Sequence, residues 1–295
     1  MNRRTFLAAA AGAAVLPAAT VLPSTIIDTH AHFYDPSRPQ GVPWPPKTET
    51  LLYRTVLPDE FVRVTKPFGV TGVIKVEASA WLEDNQWVLD LAAKNPVIVG
   101  SVGRLEPGTP DFRKNLARFH QNRLFRGIRL GKIQDGPEFL ADLKEMAGAG
   151  LELDAIGPPA LLAQLVRLTD QVPNLRVVIN HMPFDAPKDD GPRKEYQAAL
   201  AELGKRPQVY SKVSGVVRSV DGRVPNDAAF YRPALDELWN TFGADRLIYG
   251  SNWPVSEKIA PYSTVFKVVR EYFSSKGQAA TDKYFWKNSK AAYRW

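Results

Sequence analysis

The chain has 295 residues, 44% hydrophobic and 23% charged, with a formal net charge of +7 and no cysteine. That balance is ordinary for a soluble globular protein, and the missing cysteines exclude thiolate catalysis, cysteine-held zinc and disulfides. The basic excess is spread along the chain, with no Lys/Arg block interleaved with aromatics, so nucleic acid is not an expected partner.

The chain opens on MNRRTFLAAAAGAAVLPAAT. A charged start precedes an apolar, alanine-rich run from Phe6 to Leu16, too short to span a bilayer and of the length of a signal-peptide core. Arg3 and Arg4, followed by Thr5, Phe6 and Leu7, resemble the twin-arginine export motif of bacteria. The expectation is a leader over 1–23, recognised by the twin-arginine export machinery and cut between Ala18 and Ser24, and one domain over 24–295 that works in the periplasm or outside the cell. No membrane contact is expected after processing.

Beyond the leader, short apolar runs alternate with longer amphipathic stretches. Strands are expected at 25–32, 72–77, 97–103, 127–131, 151–154, 175–181, 209–214 and 246–250. Runs such as VIVG and LRVVIN are continuous and β-branched, which suits parallel strands buried on both faces. Helices are clearest at 84–94, 111–121, 138–147, 159–171 and 194–205. This alternation implies a single-domain α/β fold, a closed (β/α)₈ TIM barrel. An open doubly wound sheet is the alternative, but it would usually carry a glycine-rich phosphate turn after the first strand, where this chain reads HFYDP. The connection over 36–58 is long, and loops of that length are usually functional. Trp44 and Tyr53 could line a substrate pocket there, or the segment could be a surface wrap packed by its prolines.

The chemistry concentrates at strand ends, where barrel active sites are built. Asp28-Thr29-His30-Ala31-His32 closes the first strand. Side chains alternate along a strand, so His30 and His32 share a face and form a natural metal or oxyanion site. Asp28 has the same parity one layer deeper, which points to support. His181 ends the sixth strand in RVVINHMP, and Asn252 follows the eighth in YGSNWP. The remaining histidine, His120, lies on a charged helix.

Taken together, IIDTHAHFYDP, FRGIRL, VVINHMP, YSKVSG, IYGSNWPV and the closing KNSKAAYRW resemble the amidohydrolase superfamily, in its lactonase branch of sugar-lactone and pyrone-dicarboxylate lactonases. The pieces occur in order and span the mature chain. The resemblance implies catalytic roles for His30, His32, His181 and Asn252, and carboxylate-clamping roles for Arg129 and Arg218. One departure is plain: the family usually has Asp where this chain has Asn252, and an amide cannot act as base for the hydrolytic water. The family also commonly has Asp where Asn180 stands. His30, His32 and His181 remain as metal ligands for one divalent ion, zinc first; without a carboxylate, metal-free catalysis also stays open. Lys212 reads as a structural cation, and Lys75, Glu77 and Arg126 as further pocket candidates.

The function expected is hydrolysis of a lactone or related cyclic ester of a small anionic or sugar-like metabolite. His30 and His32 would polarise the carbonyl, His181 would activate water, Asn252 would hold the water or the oxyanion, and Arg129, Arg218, Trp44 and Tyr53 would bind substrate. The alternatives are decarboxylation or lactone isomerisation on the same barrel, or a ligand-binding barrel impaired through Asn252. An imidazole base of ordinary pKa would make the rate fall as pH drops through about 6–7.

Overall fold

The computed structural model describes residues 21–182 and 186–295, so the expected leader up to Thr20 lies outside the described residues. Eight strands pair in chain order and every neighbouring pair is parallel. They are β1 (Ile27–Ala31), β2 (Gly72–Val76), β3 (Ile98–Gly103), β4 (Phe125–Leu130), β5 (Glu152–Ala155), β6 (Arg176–Ile179), β7 (Val209–Val213) and β8 (Leu247–Tyr249). One helix follows each: α1 (Pro58–Thr65), α2 (Glu83–Lys94), α3 (Phe112–His120), α4 (Pro137–Gly148), α5 (Leu161–Gln171), α6 (Asp190–Gly204), α7 (Ala228–Phe242) and α8 (Tyr262–Ser275). β1 meets the segment just past β8, where Ala31 bridges Trp253. There the His32 N–H donates to the Trp253 carbonyl at 2.9 Å and the Asn252 N–H to the His30 carbonyl at 2.8 Å. The sheet is a single-domain (β/α)₈ barrel; the open sheet would have left β1 and β8 as separate edges.

Strand alternation sorts the apolar side chains into two clusters. Val73, Ile98, Ile128, Leu153, Val177, Val209 and Leu247 face the helices. Ile27, Ile74, Val76, Val102, Val178 and Ile248 fill the barrel axis together with Ala292 and Tyr293. Those last two belong to α10 (Asn288–Tyr293), which with α9 (Gln278–Asp282) forms the closing helical segment that plugs the N-terminal end of the barrel. Proline stands in the first turn of α1 and α4, where its missing N–H leaves no bond unmade.

The boundaries depart from expectation most at α6, which begins at Asp190 rather than at 194, and then at β4, which begins at Phe125 rather than at 127. The Asn122 side chain accepts the Leu124 N–H at 3.0 Å, which ends the preceding helix early and lets the strand start sooner. The long connection after β1 is tied at both ends. Tyr34 and Val56 exchange backbone bonds at 3.0 and 2.9 Å. Arg38 pairs with Asp84 of α2 at 2.9 Å and lies over the Trp87 ring at 4.6 Å. That anchoring holds the connection against the catalytic end of the barrel.

Candidate active site

A cavity of about 480 Å³ opens at the C-terminal ends of the strands, a volume suited to a small metabolite. His32, His181, Asn252, Arg129, Glu77 and Trp44 line it. His30 lies just behind, fully buried. Its ring centroid is 5.1 Å from that of His32 and 4.5 Å from that of His181.

A bulge sets this geometry. The β1–β2 register shifts between Asp28 and Ala31, and the strict alternation expected from the sequence breaks there. Asp28 does not share the direction of His30 and His32. Its carboxylate accepts the His30 N–H at 3.1 Å, the Ser251 N–H at 2.9 Å and the hydroxyl of Tyr262, on α8, at 3.3 Å. It thus pins β1 to the β8 loop from the helix side. Burial, only partly offset by these donors, pushes its pKa from 3.8 up to about 6.

Each histidine is held differently. His32 Nδ1 lies 3.1 Å from the Val76 carbonyl and 3.2 Å from the Glu77 carbonyl. Carbonyls only accept, so Nδ1 carries the proton and Nε2 keeps a free lone pair. His181 sits in the left-handed backbone region with φ 61°, and its Nδ1 lies 3.0 Å from Ser214 Oγ, which also accepts the His181 backbone N–H at 3.2 Å. Both ring nitrogens of His30 are buried without a partner. Asn252 also has φ 61°, a conformation that Asn tolerates better than most residues.

Burial and then nearby cations push all three imidazoles toward the neutral form. For His30 the cation is Lys212; for His32 it is Arg129, then Lys75. His181 falls from 6.5 to about 3 through burial, then Arg129 and Lys212. The acid limb at pH 6–7 expected from an ordinary imidazole is therefore displaced well downward.

The arginines need correction. Arg129 reaches the cavity, but its Nε donates to Glu77 Oε1 at 2.9 Å and its Nη2 to the Glu77 carbonyl at 2.9 Å. Its charge is already balanced, which weakens it as a clamp for a substrate carboxylate. Arg218 lines a separate cavity with Met182, Phe230 and Tyr231, away from the histidines. The chain turns at Gly215, φ 63°, and carries Arg218 off the barrel axis. Tyr53 is also outside the cavity lining, because its N–H folds back onto the Glu49 carbonyl at 2.7 Å. Trp44 does line it, with its ring 5.7 Å from that of His32. Of the other candidates, Glu77 lines the cavity while Lys75 and Arg126 do not. Lys212 is fully buried on Asp154 at 2.7 Å. Arg104 and Ser79 of the lining, and Ser214 behind His181, were not singled out from sequence. Alternation from Lys212 along YSKVS places Ser214 on the same face and could have found it.

As donors for a metal, His30, His32 and His181 fit in kind. A catalytic zinc site needs three protein ligands and an open position, three imidazoles are a known set, and a carbonyl bond to Nδ1 is the usual brace of a ligating histidine. The unpartnered His30 nitrogens are consistent with that use. Among the described residues no group of His, Asp or Glu is already drawn into a metal-holding cluster.

The sequence pattern of the amidohydrolase family (Amidohydro_2) matches residues 27–295. The chain belongs to this family. It is similar to the L-fucono-1,5-lactonase of Burkholderia ambifaria, with 30% identity over 237 residues, 78% of this chain and 80% of that one. Its fold is similar to that of a Burkholderia multivorans amidohydrolase solved with bound zinc, with TM-score 0.81 and 24% identity, covering 92% of this chain and 99% of the other. It is also similar to a putative 2-pyrone-4,6-dicarboxylic acid hydrolase from Pseudomonas putida, with TM-score 0.71 and 24% identity, covering 92% and 98%.

Proposed function

We propose that this amidohydrolase is a lactonase and that its substrate is a neutral, sugar-type lactone. The observation that carries the substrate class is the Arg129–Glu77 pair at 2.9 Å: with Arg104, the other arginine of the lining, paired to Glu106 at 2.6 Å, the site offers polar and aromatic contacts rather than a free carboxylate clamp. The resemblance to an L-fucono-1,5-lactonase supports the same class. Trp44 gives a flat apolar face for a sugar ring.

His181, held by Ser214, takes a proton from water as its oxygen attacks the lactone carbonyl. The Asn252 amide N–H donates to the oxygen on which charge develops. The ring C–O bond then breaks, the leaving oxygen takes the proton back, and a hydroxy acid results. His32, protonated at Nδ1, presents only a lone pair to the cavity and so cannot donate to the carbonyl oxygen itself. Its contribution, with His30, would be to hold one divalent ion, zinc first, while His181 keeps its lone pair for the water. Such an ion, when bound, polarises the carbonyl as a Lewis acid.

Release of acid from neutral aldonic lactones, with a carboxylated pyrone alongside and each with and without chelator, tests the proposal. The expected result is turnover of the sugar lactones and little of the pyrone, with chelator lowering the rate. Preference for the pyrone would reverse the substrate class, and turnover of neither would remove the lactonase reading. The leader supports export as a further proposal, tested by fractionation: a cytoplasmic protein with Met1–Thr20 intact would contradict it.

A further inference from the structure

At the end of the barrel opposite the catalytic cavity, a cleft of about 320 Å³ opens between the ends of α3 and α4, the start of β4 and the closing segment. His120, Arg123, Arg126 and Arg294 line it, and no Asp or Glu does. Among the described residues none of the four forms an ion pair with a carboxylate. Arg126 Nη1 donates to the Arg294 carbonyl at 2.8 Å, while its Nε is buried without a partner. Burial and then the charge of Arg123 depress the Arg126 pKa. Behind it, Arg176 is depressed by burial and then by Arg294.

The C-termini of α3 and α4 supply about half a negative charge each. That is about one unit against the three guanidinium charges of Arg123, Arg126 and Arg294. Like charges gathered in a concave site raise the energy of the free protein, and a bound oxyanion relieves it. Guanidinium forks match the paired oxygens of a phosphoryl group. The cleft is not part of the catalytic cavity: Arg126 and Arg129 stand three residues apart on β4, roughly 10 Å along the strand, at opposite ends of it.

We propose that this cleft is a second ligand site, which takes a phosphate-type oxyanion, either free phosphate or the phosphoryl group of a small metabolite. Inorganic phosphate and glycerol phosphate are titrated in parallel by calorimetry at constant ionic strength. Saturable binding of either supports the site, and the tighter of the two identifies the source. Arg123→Gln/Arg126→Gln should weaken binding at least tenfold. Because Arg126 is half-buried, Arg123→Gln/Arg294→Gln, at two exposed positions, serves as the second variant and should act in the same direction while leaving lactone hydrolysis unchanged. Arg129→Gln, in the catalytic cavity, should leave phosphate binding as in the wild type. Absence of saturation, wild-type affinity in the Arg123/Arg294 variant, or loss of binding in Arg129→Gln would each overturn the proposal.

Discussion

Two polar layers lie on the barrel axis, one above the other, and they differ in charge: the lower holds an ion pair, the upper a set of imidazoles pushed toward the neutral form. In the lower layer Lys212 Nζ donates to Asp154 at 2.7 Å, and the other oxygen of Asp154 accepts the Tyr293 hydroxyl at 2.8 Å. Glu152 lies beside this pair, fully buried, and burial followed by the Asp154 charge pushes its pKa well up. The shift favours its uncharged form. In the upper layer His30 has no partner at either ring nitrogen, and His32 is satisfied at Nδ1 only. The lower layer holds an ion pair beside a carboxyl group, Glu152, whose two oxygens are buried without a partner. The upper layer keeps lone pairs and N–H groups open to the cavity. Unmade bonds of that kind cost stability, and in a native structure they point to a ligand or a reaction.

The comparison breaks most sharply if the upper layer proves structural. His181→Ala should lower lactone turnover by about 10²–10⁴ while changing stability by only about 1 kcal/mol. Steady-state rates and denaturant midpoints on the same sample check it; a large fall in midpoint would place His181 with the structural layer. Asp154→Ala should behave in the opposite way, losing about 3–5 kcal/mol because Lys212 is left buried and unpaired. An unchanged unfolding curve would show that the lower layer is no ion pair.

Asp28 sharpens the boundary between the layers. Its folded pKa, about 6, is raised above its ordinary 3.8, so protonation favours the fold. The stability linked to it is fully present below pH 3.8 and is lost as pH rises through about 6. The difference is on the order of 3 kcal/mol. Wild type should therefore gain stability relative to Asp28→Asn when urea melts move from pH 7 to pH 4. Parallel behaviour of the two proteins would mean that Asp28 is ionised throughout.

The smallest effect is expected at Asn252. Asn252→Asp replaces the amide donor by a carboxylate beside the developing negative charge and should lower turnover by about tenfold, with zinc binding followed in parallel by metal analysis. A faster variant, or one that binds zinc more tightly, would make Asn252 a weakened base rather than an oxyanion donor. No change in either quantity would favour the impaired-barrel alternative.

The sequence carried the barrel because each strand is short, apolar and followed by one helix, so local patterning and topology agree. It carried His30, His32, His181 and Asn252 as candidates because they sit at strand ends, and strand ends converge in this fold. It misplaced Asp28, since the bulge that reverses its direction depends on pairing with β2 and the β8 loop, far away in sequence. Arg129 and Arg218 were legible as residues but not as roles. One is claimed by Glu77 from another strand, and the other is turned off the axis at Gly215. Arg104 reaches the cavity through an ion pair with Glu106 at 2.6 Å, on a loop that no periodicity marks.

The central claim is that the fold delivers an uncharged imidazole cluster to the cavity. Nuclear magnetic resonance titration of the histidine rings on chelator-treated protein tests it directly. The account predicts that His30, His32 and His181 show no protonation between about pH 5 and pH 8, since burial and cations hold them down, His181 to about 3. A midpoint near 6.5 for His181 would contradict it, and would return the site to an ordinary, solvent-facing base.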